Sequence, residues 1–291
     1  METKKLTLGL PSGSLKDSTF DLLQRAGYRV HSTERSYFPY VDDSELECRL
    51  FRAQEMSLYV EDGVLDVGLT GWDWVQENGS DVIEVAELVY SKRQMTPARW
   101  VIAVRSDSPI RKPEDLAGKL VASELQSVTR KYFQSRGIAA RVEYSYGTTE
   151  AKADLVDAIV EITETGSSLQ SNKLRIVDTV LVTTTRMIAN RRAWEDPWKR
   201  RKAENLATLL KGAIVAREKV GLKMNVPPDK LEAVLTKLPA LRRPTVSPLA
   251  DNSGYAIETI VDETVARDII PDLKRAGAEG IVEYPLNMVI P

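Results

Sequence analysis

Apolar and polar positions along this chain change their period from segment to segment, and each change predicts an element. Lys5 to Leu10 alternates and stops at Pro11, which predicts a strand followed by a loop, Pro11-Ser12-Gly13-Ser14. Leu15, Thr19, Leu22, Leu23 and Ala26 then recur on one helical face, and Gly27 closes that helix. From Arg52 to Asn78 the pattern reads as a short helix, a strand Leu65 to Thr70, a turn at Gly71 and another helix start. Trp100 to Arg105 reads as a strand. A helical turn from Pro113 to Lys119 feeds a strand Leu120 to Ser123, and Val128 to Arg136 reads as a helix closed by Gly137. Strands alternating with helices predict an α/β fold with a largely parallel sheet. A long helix is expected from about Thr185 to Leu210, with Trp194 and Trp198 in its charged middle packing on a neighbouring lobe.

From about Gly212 the pattern changes. Expected strands at Ala213 to Ala216, Leu222 to Val226, Thr245 to Leu249, Tyr255 to Val261 and Gly280 to Tyr284 alternate with helices Pro228 to Leu238 and Glu263 to Ala276. That order describes a compact βαββαβ-like unit, a separate domain.

One stretch does not fit packing alone: DAIVEITETGSSL, from Asp157 to Leu169. Ile159, Val160 and Ile162 read as a buried strand, but Asp157 and Glu161 interrupt it. Period two places both carboxylates on one strand face, with Ile159 between them. The strand runs into a turn, Thr163 to Ser168, with one glycine among hydroxyl side chains. Open α/β sheets bind ligands beyond the carboxyl ends of their strands, and a helix start there presents free N–H groups to an anion. Gly166 allows close backbone approach, Thr165, Ser167 and Ser168 add hydroxyl donors, and the next helix is expected from Ser168 through Leu169 and Asn172 to Leu174. This is the chemistry of a phosphate cradle, with Asp157 and Glu161 available to sugar hydroxyls or a divalent metal. An acidic strand before Thr-Gly-Ser-Ser is the pattern of phosphoribosyl-pyrophosphate (PRPP) sites. It lacks the Gly-Lys of a Walker loop and the repeated glycines of a dinucleotide fingerprint. A hydroxyl-rich helix N-cap without a ligand is the plain alternative.

Composition narrows the choice. The 40 basic and 42 acidic residues nearly cancel, so no global field calls for nucleic acid or membrane. The basic run Lys199 to Lys202 is flanked by Glu195, Asp196 and Glu204. With one cysteine, Cys48, and one histidine, His31, an intrachain disulfide is excluded, and zinc or Cys-His catalysis is not expected. No segment approaches the ~20 apolar residues of a membrane helix, and the apolar stretch near the N-terminus is too short for a signal peptide, so a soluble, cytoplasmic protein is expected.

Several ordered motifs carry a resemblance. DAIVEITETGSSLQSNKL, FRAQEMSLYVEDGVLDVGLTGWDWVQENG, GKLVASELQSVTRKYFQSRGI, MNVP, PTVSPLAD and LKRAGAEGI resemble, over nearly the full length, the long, histidine-regulated form of ATP phosphoribosyltransferase, which begins histidine biosynthesis. The resemblance implies an α/β bilobal catalytic half like type II periplasmic binding proteins, plus a C-terminal ACT-like, ferredoxin-like domain. Lobe one would be 1–92 and 186–211, lobe two 93–185, and the histidine-binding domain 212–291. It implies attack of adenine N1 of ATP on C1 of PRPP with magnesium on the departing pyrophosphate, feedback inhibition by histidine, and a homohexamer.

By the same resemblance Asp157 and Glu161 would hold ribose hydroxyls, and Thr165, Gly166, Ser167, Ser168 and Leu169 the 5′-phosphate. Glu150, Gly71, Trp72, Asp73, Ser12, Gly13 and Ser14 would face the nucleotide, ribose or pyrophosphate. Arg52, Arg93 and Arg99 are candidate phosphate partners. Asn225, Leu241, Thr245 and Gly280 match the histidine pocket. Ser12 stands where many members have lysine, and Glu161 where aspartate is common. The lobed pattern alone would also suit a solute-binding-like ligand sensor, and the same fold would suit an inert regulatory subunit.

Overall fold

The computed structural model describes residues 4–33, 36–90, 96–239, 243–250 and 252–290; Arg93 and Leu241 lie outside the described residues. By internal contacts the chain divides into Met1–Ala207 and Thr208–Pro291.

In the first unit, β1 (Leu6–Pro11) leads through a 3-10 turn at Gly13–Leu15 into α1 (Lys16–Arg25). A small ribbon of β2 (Val30–His31) and β3 (Tyr40–Val41) precedes β4 (Leu46–Phe51), α2 (Ala53–Glu61), β5 (Val67–Gly71), α3 (Trp72–Asn78) and β6 (Ile83–Leu88). The chain then crosses to a second sheet through β7 (Ala98–Arg105), β8 (Leu120–Ser123), α4 (Gln126–Ser135), β9 (Arg141–Tyr144), β10 (Ala158–Thr163), α5 (Ser167–Ser171) and β11 (Leu174–Thr183). It returns with β12 (Thr185–Ala189), followed by α6 (Arg191–Glu195) and α7 (Pro197–Ala216).

The sheets run β4-β1-β5-β12-β6 and β11-β7-β10-β8-β9. Within them β4, β1 and β5 are parallel neighbours, as are β10, β8 and β9, while β12 and β7 run antiparallel to the strands they pair with. This is the bilobal α/β arrangement the resemblance implies, with two crossings between lobes; each sheet is mixed, not largely parallel as the alternating pattern predicts, because β7 and β12, which follow the crossings, run antiparallel to their neighbours. The lobes share packing. Trp74 of α3 belongs to the core of the second sheet and meets Trp100 of β7 edge-on, with ring centroids 6.1 Å apart. Glu77 of α3 accepts from the backbone N–H groups of Ser127 and Val128, both at 2.9 Å, in the first turn of α4.

Three further expectations are corrected. Thr185 to Ala189 is a strand, not helix: Met187, Ile188 and Ala189 are buried where β12 pairs with both β5 and β6, and this long-range pairing outweighs local helical propensity. The helices start only after Asn190, whose side chain accepts from the N–H groups of Arg192 and Ala193, a standard N-cap. The expected strand at Ala213 to Ala216 is the end of α7, with Ala213 and Ala216 buried. Leu174 opens β11 instead of continuing the helix after the turn, because α5 ends at Ser171.

Three of the four cations in the basic run on α7 have acidic partners. Lys199 pairs with Asp66, Lys202 with Asp43 and Glu45, and Arg200 with Glu204.

The second unit takes in the end of α7 from Thr208 and continues with β13 (Lys219–Val226), α8 (Leu231–Leu235), β14 (Thr245–Pro248), β15 (Tyr255–Asp262), α9 (Glu263–Arg275) and β16 (Glu279–Pro285). Its antiparallel sheet has the order β14-β15-β13-β16, the ferredoxin-like arrangement of a βαββαβ chain. One face packs Leu222, Met224, Ile257 and Val261 against Val234, Ala266 and Leu273 of the helical side. The other face carries Lys223, Asn225, Glu258 and Thr245, set side by side by the strand register.

Candidate active site

Both sheets of the first unit direct the carboxyl ends of parallel strands into one cleft of about 700 Å³. The loop after β1 contributes Ser12, Gly13 and Ser14; the end of β4 contributes Arg52; the β5–α3 corner contributes Gly71 and Asp73. From the second sheet come Glu124 after β8, Glu161 on β10, and Thr165, Ser167 and Ser168 in the turn beyond it. The crossing segment Thr183-Thr184-Thr185 lines the wall between the lobes.

The turn after β10 is built by its own side chains. Thr163 Oγ1 accepts from the Gly166 N–H at 2.7 Å, and Thr165 Oγ1 accepts from the Ser167 N–H at 3.3 Å. Gly166 sits at φ +82°, a left-handed conformation that a side chain disfavours. Leu169 anchors the turn from below. It is buried among Val101, Ala103, Ala122 and Ile159 and does not itself line the cleft. Glu150 supports the turn from behind, accepting from Ser168 Oγ at 2.7 Å and Asn172 Nδ2 at 2.8 Å.

The carboxylates expected to act as a pair are separated. Asp157 precedes β10; its Oδ2 accepts from the Leu120 N–H at 2.9 Å, and Oδ1 lies 3.5 Å from Lys119 Nζ. Four residues at ~3.3 Å rise put it ~13 Å from Glu161 toward the amino end of the strand, away from the cleft. Trp72 also falls outside the lining: it packs against the Met56, Val60 and Leu65 cluster, under the Arg186 guanidinium at 5.8 Å. Arg99 is on β7 opposite Thr163 in the register and is not among the lining residues.

Burial sets the electrostatics. It pushes the Glu161 carboxyl up to about 7, helped by the negative charges of Glu124 and Glu150 and opposed by hydrogen bonds from the Ile162 N–H and Thr149. Burial also raises Glu124, against a hydrogen bond with Gln54. Asp73 is raised by burial even though Trp100 Nε1 donates to it at 2.6 Å and Thr183 Oγ1 at 3.0 Å. These two bonds tie the β5–α3 corner to β7 and to the crossing segment. Cys48 is buried in β4, and its thiol is pushed up to about 12, first by burial, so it carries no nucleophile at neutral pH.

Sequence reasoning missed Glu124 and the threonines of the crossing segment. Glu124 follows the strand Leu120 to Ser123 directly, so the rule about carboxyl ends of strands would have found it. Thr183 to Thr185, a run of β-branched residues, is itself a strand signal. Among the described residues no group of three or more His, Cys, Asp or Glu is placed to hold a metal ion, and no helix is long and apolar enough to cross a membrane.

A family model described as ATP phosphoribosyltransferase matches residues 52–212, and one described as the HisG C-terminal domain matches residues 216–288. An ATP phosphoribosyltransferase of Chlorobium phaeovibrioides is 58% identical over 286 residues, covering 98% of this chain and 97% of that protein. One of Solibacter usitatus is 55% identical over 286 residues, covering 98% and 99%. Among solved structures, the ATP phosphoribosyl transferase (HisG:HisZ) complex from Thermotoga maritima aligns with a TM-score of 0.59 at 26% identity, covering 71% of this chain and 98% of that one. Matched almost end to end by such relatives, and by the C-terminal model over its ferredoxin-like unit, the chain belongs to the ATP phosphoribosyltransferase family in its long form, the enzymes of the first step of histidine biosynthesis.

Proposed function

We propose that this cleft holds ATP and PRPP together and joins adenine N1 to the anomeric carbon of PRPP as the bond to pyrophosphate breaks, with inversion at that carbon. The observation that carries the reading is the convergence of the hydroxyl-rich turn and Glu161 with the Ser12–Ser14 loop and Arg52 across one cleft. The turn Thr165 to Ser168 receives the 5′-phosphate, Glu161 accepts from the ribose hydroxyls, and the loop with Arg52 faces the pyrophosphate. The chain's contribution is to position two polyanions and stabilise the leaving charge. That requires no histidine or cysteine nucleophile.

Magnesium fits these residues as a substrate-borne ion. Mg²⁺ keeps several waters and takes one or two carboxylates plus substrate phosphates. Glu124 and Glu161, both lining the cleft and neither tied up as Asp73 is by Trp100 and Thr183, would meet it, and the ion would supply neutralisation of pyrophosphate charge. The assembly we infer is a homohexamer acting in the cytoplasm.

The direct test is pyrophosphate release by the purified chain with ATP, PRPP and magnesium, read by coupled pyrophosphatase. Folded protein that forms no phosphoribosyl-ATP would overturn the reading. The pH profile adds a second check. With Glu161 titrating near 7, kcat/KM for PRPP should rise as pH passes through about 7, and Glu161→Gln should lose that step. PRPP's own phosphate ionisation stays in both profiles, so the difference between them isolates the carboxyl.

Histidine is expected to inhibit through the second unit. Asn225 and Gly280 are neighbours there, a Cβ on Gly280 lying 4.0 Å from Asn225 Nδ2, and Thr245 shares the exposed sheet face with Asn225. We infer that this face receives the amino acid. Thr245 is exposed, so Thr245→Trp should fold normally and relieve inhibition by millimolar histidine while turnover without histidine persists. Full inhibition of that variant would place the pocket elsewhere.

A further inference from the structure

The strand at the edge of the second sheet ends in an aromatic pair that the reaction as described does not use. β9 pairs with β8 so that Tyr144 lies opposite Ser123, one residue before Glu124 in the cleft. Tyr144 and Tyr146 meet edge-on, with ring centroids 4.6 Å apart at 80°. Tyr146 is 89% exposed, yet its loop is tightly held. Ser145 is fully buried, its N–H donates to Ser123 O at 3.0 Å, and its hydroxyl shares a 2.8 Å hydrogen bond with Thr149. Gly147 follows at φ +84°, and a Cβ there would lie 3.7 Å from Glu124 Oε1. The exposed ring is therefore presented by a fixed backbone beside a residue of the cleft.

We propose that Tyr146, braced by Tyr144, is the stacking surface for the adenine of ATP. The inference rests on the reading of the cleft given above and deepens it. The aromatic side chains that line the cleft itself, Tyr90, Trp74 and Trp100, are at most 9% exposed and committed to the core, so they offer no free face to a base. The hydroxyls, arginine and carboxylates around them suit phosphates and sugars. A planar heteroaromatic ring needs a flat apolar surface, and Tyr146 provides one at the rim on the side of Glu124. Tyr144 holds that ring without covering its outer face.

The experiment compares Tyr146→Ala, Tyr146→Phe and Tyr146→Trp with the parent enzyme, using KM values and calorimetric titrations of ATP and PRPP separately. Base–aromatic stacking supports a loss of about tenfold in ATP affinity on removing the ring. Tyr146→Ala should therefore raise the KM and Kd for ATP by about tenfold and leave those for PRPP unchanged, while the Phe and Trp variants keep parental values. An alanine variant that binds ATP like the parent overturns the proposal. So does one that weakens ATP and PRPP equally, and so does failure of phenylalanine to substitute, because the hydroxyl would then be the contact. Absence of turnover in the parent enzyme would sink the reading of the cleft instead, a result distinct from a parent that turns over with Tyr146→Ala unaffected.

Discussion

Glu161→Gln should lower turnover about a hundredfold, the scale of losing one well-placed electrostatic contact, while Asp157→Asn should stay within about twofold of the parent. The two carboxylates lie four residues apart in one short segment, and a sequence reading treats them alike. In the structure Glu161 lines the cleft, whereas Asp157 holds the Leu120 N–H and pairs with Lys119 at the other end of β10. Steady-state kinetics on both variants separates the roles. A large loss in Asp157→Asn with Glu161→Gln intact would reverse the assignment.

Stability should move the opposite way from activity at Glu161. Its carboxyl titrates near 4.5 in the unfolded chain and near 7 when folded, so the folded state binds the extra proton between those values. The parent therefore loses stability as pH rises from about 4.5 to about 7 and keeps the deficit above that. Glutamine carries no such penalty, so the melting temperature of Glu161→Gln should exceed the parent's at pH 8 and converge on it near pH 4. A carboxyl held against its solvation preference is a common source of such a trade-off.

Gly71→Ala should destabilise the protein by about 3 kcal/mol and remove most activity. The backbone at Gly71, φ −68° and ψ 142°, suits any residue, so the constraint is space. A Cβ there would stand 2.0 Å from Asp73 Oδ1. The carboxylate would have to swing away from Trp100 and Thr183, leaving a buried acid without its donors and the β5–α3 corner untied from β7 and the crossing segment. Denaturant unfolding reads the loss. In an Asp73→Ala background the same substitution should cost much less, and that non-additivity identifies the carboxylate as the cause. A Gly71→Ala protein as stable as the parent would show that the corner repacks freely.

The turn after β10 was legible from the residues themselves because its chemistry is local. Gly166 sits in the left-handed conformation that its position in the turn requires, Thr163 and Thr165 bond backbone groups within three residues, and the strand before it is written in β-branched side chains. The same holds for β1 with its loop, for the β5–α3 corner, and for the βαββαβ order of the second unit, where each element carries its own period. Thr185 to Ala189 was only partly legible, for the opposite reason. Its leading threonines carry a local strand signal, but its extent through Met187, Ile188 and Ala189 is set by pairing with both β5 and β6, which nothing within ten residues reports.

By itself, then, the sequence determined the α/β class of the first unit, the ferredoxin-like class of the second, the local form of the phosphate-type turn, and the family through its ordered motifs. Apolar period and turn chemistry act over a few residues and survive without the rest of the chain. Only the tertiary structure decided which carboxylate faces the cleft, that Trp72 and Leu169 serve packing, and that Glu124, Arg52, Asp73 and the crossing threonines converge on Glu161. Those facts depend on which end of a strand a residue occupies and on how two sheets far apart in sequence are brought together, and both are fixed by long-range pairing and shared burial.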